Sequence, residues 1–83
     1  MRLIVRFSID SDVSGALTNT LRGVLANHGI HLNPNVTATY EGTIDQDDLA
    51  EAMTDFWDEA HSFQASAGSH VDHFWMYADN PPN

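Results

Sequence analysis

The chain has no cysteine and no lysine. The first absence excludes disulfides and fits a reducing compartment. The second leaves three arginines against twelve acids, a formal net charge of −9 with histidine neutral. Phosphate backbones are held by Lys and Arg, whose binding releases counterions, so three arginines supply few such contacts and direct nucleic-acid binding is not expected. No apolar run approaches the roughly 18 residues of a membrane span. Arg6 interrupts the apolar start Leu3-Ile4-Val5, which therefore reads as a strand and not as a signal peptide. The expectation is a cytoplasmic protein with no membrane partner. Repeats, low-complexity segments, a phosphate-cradling glycine loop, a dinucleotide fingerprint and a Ser-His-Asp order are also missing, and no cofactor is implied. Eighty-three residues make one small domain, near the size at which a single core is only just sufficient.

What is present is concentrated in residues 45–64, DQDDLAEAMTDFWDEAHSFQ. Leu49, Met53, Phe56, Trp57, Ala60 and Phe63 recur at three- and four-residue steps, the spacing of one helix face. Asp47, Glu51, Asp55, Asp58 and Glu59 take the other side, with Asp48 near the start. No Lys or Arg follows any of them at i+3 or i+4, and each like-charge pair at that spacing costs a few tenths of a kcal/mol, roughly. The stripe has three readings: a solvated helix face, adaptation to high salt, or imitation of a nucleic acid towards a basic protein. Asp45 precedes the helix as its N-cap, with Asp48 three residues on.

The remaining elements follow from patterning. Leu3, Val5, Phe7 and Ile9 alternate with Arg2, Ile4, Arg6 and Ser8 as a first strand over residues 2–9, whose second face sets Ile4 between two arginines. Ser11, Asp12 and Ser14 crowd a helix N-cap. Val13, Leu17, Leu21, Val24, Leu25 and His28 then follow at helical spacing, closed by Gly29 with Ile30 folding back on the last turn. Asn33-Pro34-Asn35 breaks the chain before a second strand in which Val36, Ala38 and Tyr40 alternate with Thr37, Thr39 and Glu41. Glu41-Gly42 reads as a turn, with Thr43 and Ile44 as a short further strand. Residues 65–69 read as a small-residue loop, residues 70–78 as the last strand, and residues 79–83, DNPPN, as a tail that cannot extend a ladder.

This order predicts a compact α+β fold, a small ferredoxin-like sheet of three to four strands with two helices on one face, spanning residues 1–78. Simple alternation on the last strand puts Val71, His73, Trp75 and Tyr77 on one face and Phe74, Met76 and Ala78 on the other. Large apolar groups then remain on the open side whichever set faces the helices. A sheet apolar on both faces has a second layer against it. Phe74, Trp75, Met76 and Tyr77 are accordingly the candidate dimer or partner face, and a homodimer packed on the open face is the expectation.

The segment Phe7-Ser8-Ile9-Asp10-Ser11-Asp12, the helix end His28-Gly29, the run Thr39-Tyr40-Glu41-Gly42, the amphipathic helix and the aromatic last strand together form a layout. It resembles the small CRISPR-associated endonuclease-like subunit of the spacer-integration complex and the related virulence-associated protein D toxins, over about residues 3–77. The resemblance implies a dimeric ferredoxin-like fold and a metal-dependent nuclease with an acid near the end of the first strand. Ser8 stands at that position here and is no substitute for a carboxylate on Mg²⁺. Asp10, one pleat further on the same face at ~7 Å, and Asp12 are the only catalytic candidates on this reading.

Two His-x-x-His spacings stand out, His28/His31 and His70/His73. On a strand that spacing sends the two rings to opposite faces, and across a helix end it defines no pair, so neither is a zinc site by itself. His61 lies on the acidic helix near Asp58. Asp45, Asp47 and Asp48 lack the glycine and terminal glutamate of a calcium loop. No metal and no catalysis are expected. The leading expectation is a non-enzymatic interaction or inhibitor protein in which Asp47, Glu51, Asp55, Asp58 and Glu59 contact a basic, nucleic-acid-handling protein, in the manner of a DNA mimic carried by a phage or mobile element. The alternatives are a metal-dependent nuclease and a halophilic domain whose acids keep it hydrated.

Overall fold

The computed structural model describes residues 1–12, 15–36 and 38–79. The elements run β1 (Arg2–Asp10), α1 (Ala16–Asn27), β2 (His31–Leu32), β3 (Thr39–Thr43), α2 (Gln46–Ala67) and β4 (His70–Asp79). One antiparallel sheet takes the order β2-β3-β1-β4, and both helices pack on one of its faces. This is a ferredoxin-like α+β arrangement with β1 in the middle. Alternation along β1 sends Leu3, Val5 and Phe7 into the core against Leu17, Leu21 and Leu25 of α1 and Ala52, Phe56 and Ala60 of α2. Tyr40 from β3 joins them, its ring stacked on Phe7 at 5.2 Å. Burial pushes the Tyr40 hydroxyl above its ordinary range, and the Arg22 guanidinium opposes that shift.

The helix ends obey the capping rules. The α1 N-cap is Gly15 in the left-handed region, which offers no side chain. Asp12 caps from outside, its carboxylate accepting from the backbone N–H groups of Leu17 (3.0 Å) and Thr18 (3.1 Å) and from the Thr18 hydroxyl. At the other end Gly29, at φ 82°, lets its own N–H reach the Ala26 carbonyl at 3.0 Å and the Ile30 N–H reach the Leu25 carbonyl at 2.9 Å. This is the Schellman closure expected from the Gly-Ile pair. Asp45 caps α2 by accepting from the Asp48 N–H at 2.8 Å. The helix runs on through Ala67 to a left-handed Gly68, so most of the expected small-residue loop is helix.

Three further expectations are corrected. The second strand does not begin at Val36, which lies exposed in a bend. The hairpin instead pairs His31 with Glu41 and Leu32 with Tyr40. Asn33 opens its loop by accepting the Asn35 N–H at 2.8 Å and donating its backbone N–H to the Thr39 carbonyl at 2.8 Å. Ala38 stands at φ 54°, which ends the apparent alternation. Gly42 is mid-strand and no turn: a Cβ there would lie 2.2 Å from the Gly29 carbonyl oxygen, so the bare glycine lets the α1 cap rest on β3. Asp79 belongs to the ladder, opposite Arg2. Val13, Ser14, Thr37 and the tail at residues 80–83 lie outside the described residues.

The last correction matters most for the surface. β4 pairs with β1 as Phe7↔Phe74 and Ser8↔His73, then Ile9↔Val71 and Asp10↔His70, so the register shifts at Asp72. This β-bulge reverses the parity of the strand's first residues. Val71 joins Phe74 on the helix side and packs on the core, while His70 and His73 both fall on the open side with Ser8 and Asp10.

Candidate functional site

Two surfaces carry the residues singled out above. On α2, Asp47, Asp48, Glu51, Asp55, Asp58 and Glu59 are all exposed. With the cap Asp45, seven of the chain's twelve acids sit on this helix or at its start. Among the described residues Asp55 alone of the stripe holds a cationic or imidazole partner, His28, whose Nε2 lies 3.1 Å from its carboxylate. The His28 ring is largely covered while Asp55 is half exposed. Beside that contact a shallow groove of about 310 Å³ runs between the helices, lined by Val24, Asn27, His28, Asp55, Asp58 and Glu59. Its α2 wall is all carboxylate. The two acids at Asp47 and Glu51 continue the row towards the N-terminus, successive i, i+4 positions being about 6 Å apart along the axis.

The inward side of the same helix departs from the periodic expectation in one residue. Ala52 is fully buried, whereas Trp57 is 43% exposed. Trp57 lies at the flank, its ring edge-on to Phe56 at 5.1 Å and tilted on Phe74 at 5.1 Å. It covers the seam between α2 and β4.

The second surface is the open face of the sheet. The four aromatic-strand residues do not share it: Phe74 and Met76 point to the helix side, Phe74 tilted on Phe56 at 5.3 Å. Trp75 and Tyr77 occupy the open side, their rings stacked at 6.3 Å and 10° and about half exposed. Trp75 stands opposite Arg6, and Tyr77 opposite Ile4. Two of the three arginines therefore lie on this face, Arg2 within 3.8 Å of Glu41. A shallow depression of about 560 Å³ opens beside Arg6, Ser8, Ala38, His73 and Trp75.

Asp10 and Asp12 are separated by their roles. Asp10 is on the open face, 3.5 Å from His70 Nε2. Asp12 is turned to α1 as its cap, and its hydrogen bonds, first that from the Thr18 hydroxyl, hold its carboxyl below the usual range. His73 Nδ1 lies 2.9 Å from its neighbour Asp72 and 3.3 Å from the Ser8 hydroxyl. His31 is exposed on β2, and His61 is exposed on α2. Among the described residues no three His, Asp or Glu side chains are grouped to hold a metal ion, and no helix is long and apolar enough to cross a membrane. No family model matches the chain, nor does any curated protein or solved structure.

Sequence reasoning missed the bulge and the Trp57 flank. The signal for the bulge is Val71-Asp72-His73-Phe74: two apolar residues three apart in a strand that otherwise alternates, with polar residues between them. The signal for Trp57 is weaker, since Phe56 and Trp57 are adjacent and one helix face cannot centre both.

Proposed function

We propose that this protein is a non-enzymatic binding module whose α2 surface engages a basic protein, one that itself handles nucleic acid. The observation that carries the reading is the row formed by Asp47, Glu51 and Asp58 with the carboxylate-walled groove at Asp55 and Glu59. All are exposed, and only Asp55 is partnered among the described residues. A helix is a rigid ruler, so the carboxylates present a fixed spacing, and an Arg or Lys side chain of a partner fits the groove beside Asn27 and His28. Like charges left uncompensated along a helix cost stability, and a basic partner converts that cost into binding free energy.

The test compares wild type with the Glu51→Lys, Asp58→Lys variant, two positions that make no hydrogen bond or ion pair among the described residues. Immobilised protein is challenged with a nuclear or nucleoid extract rich in basic proteins, and retained proteins are eluted with rising salt, then with duplex DNA. The reading requires specific retention that the variant loses, with release by DNA at constant ionic strength. Equal retention by both forms, or none by either, overturns it.

A further inference from the structure

We infer that two copies of this chain join edge to edge through β4, antiparallel about Trp75, into one continuous sheet. The strand lies at the sheet's edge over ten residues. Of the five large apolar side chains exposed among the described residues, Val36, Trp57, Trp75, Met76 and Tyr77, four cluster at this edge: Trp75 and Tyr77 on the open side, Met76 and Trp57 on the helix side. Exposed edges of this kind are ordinarily blunted by lysine, proline or bulges. The chain has no lysine, β4 has no proline, and its bulge at Asp72 leaves residues 73–79 as an uninterrupted template.

Three observations select a second copy as the occupant. The opposite edge is β2, only two residues long, so a head-to-tail contact has too little strand to pair with, whereas β4 against β4 closes on itself. Symmetry about Trp75 sets Trp75 on its own copy on the open side and Phe74 opposite Met76 on the helix side, matching apolar groups on both faces, and it keeps Asp72 and Asp79 from facing their own copies as a parallel pairing would. Finally, the groove of about 320 Å³ between α2 and β4 is lined by Trp57, Ala60, His61, Gln64 and Val71, with no carboxylate. The acids of α2 lie outside that groove, so the contact carries only Asp72 and Asp79 of β4 from each copy. Nothing in this contact depends on what α2 binds.

Light scattering after size exclusion, over a hundredfold range of concentration, should give a species of twice the 9.2 kDa chain that dissociates on dilution. The Trp57→Lys, Met76→Lys variant should weaken the dimer by on the order of 100-fold, while Val36→Lys leaves it intact. Hydrogen exchange on wild type decides the matter without any variant: alternate β4 amides should gain protection with concentration. A monomer at every concentration overturns the inference. So does a dimer whose β4 amides stay unprotected or which Ile4→Lys disperses, since that contact is the open face, and so does β4 protection that appears only when an unrelated peptide is added.

Discussion

The two helices cover the same sheet face by opposite means. α1 contains no acid and buries three leucines, Leu17, Leu21 and Leu25. α2 is nearly twice as long and buries Phe56 between two alanines, Ala52 and Ala60. The small residues let α2 lie close to the sheet while a single ring fills the space beneath it, touching Phe7 edge-on at 5.3 Å as well as Phe74. α1 is thus a structural element with its burial spread over three turns. α2 fully buries one large side chain, with Leu49, Met53 and Phe63 partly buried beside it, and its outer surface carries the charge.

The sharpest break in this contrast is Phe56→Ala, expected to cost about 3–5 kcal/mol, against about 2–5 kcal/mol for Leu21→Ala. Chemical denaturation of both variants reads the difference, and the α2 change should also release Trp57, seen as a red shift of its fluorescence. Next in size is Gly42→Ala. The added methyl meets the Gly29 carbonyl, and about 1–3 kcal/mol of overpacking follows, felt at the α1 end of the molecule and not at α2.

Removing the α1 cap by Asp12→Ala should cost about 1 kcal/mol, and it carries a pH signature. The Asp12 carboxyl is held below its ordinary value in the folded chain, so its contribution is complete above the usual carboxyl range and is lost as pH falls through the depressed folded value. Stability curves of wild type and variant should therefore converge in acid and stay apart at neutral pH. The smallest effect is expected on the α2 face. Glu51→Lys removes like-charge neighbours at Asp47 and Asp55, and should raise stability by a few tenths of a kcal/mol, roughly, at low salt and by nothing measurable at high salt. A loss of stability there would mean that the stripe already has a partner within the molecule.

Much of this architecture was legible in the residues because its signals are local. Leu3, Val5 and Phe7 alternate, Leu17, Leu21 and Leu25 step by four, and Gly29-Ile30 and Asp45-Asp48 close or open helices within a few bonds of themselves. The misread parts depend on contacts outside a residue's own helical or strand period. Gly42 looks like a turn until the Gly29 carbonyl is set against it, and the hairpin is fixed by Asn33 reaching Thr39. On β4 simple alternation through Asp72 puts Val71 on the open face and splits His70 from His73, and only the pairing with β1 reveals the shift. The acidic row of α2 is exposed as helical periodicity alone predicts. The site at its inner margin, where His28 meets Asp55, needed the packing of two helices to appear.

The close approach of Gly29 and Gly42 defines what a diverged relative must retain. Leucines exchange with other apolar residues and acids drift along a surface, but a carbonyl resting where a Cβ would stand admits no side chain, and a left-handed cap strains any residue other than glycine. Two glycines thirteen positions apart, with an apolar residue directly after the first and a β-strand around the second, thus fix where the end of α1 meets the sheet.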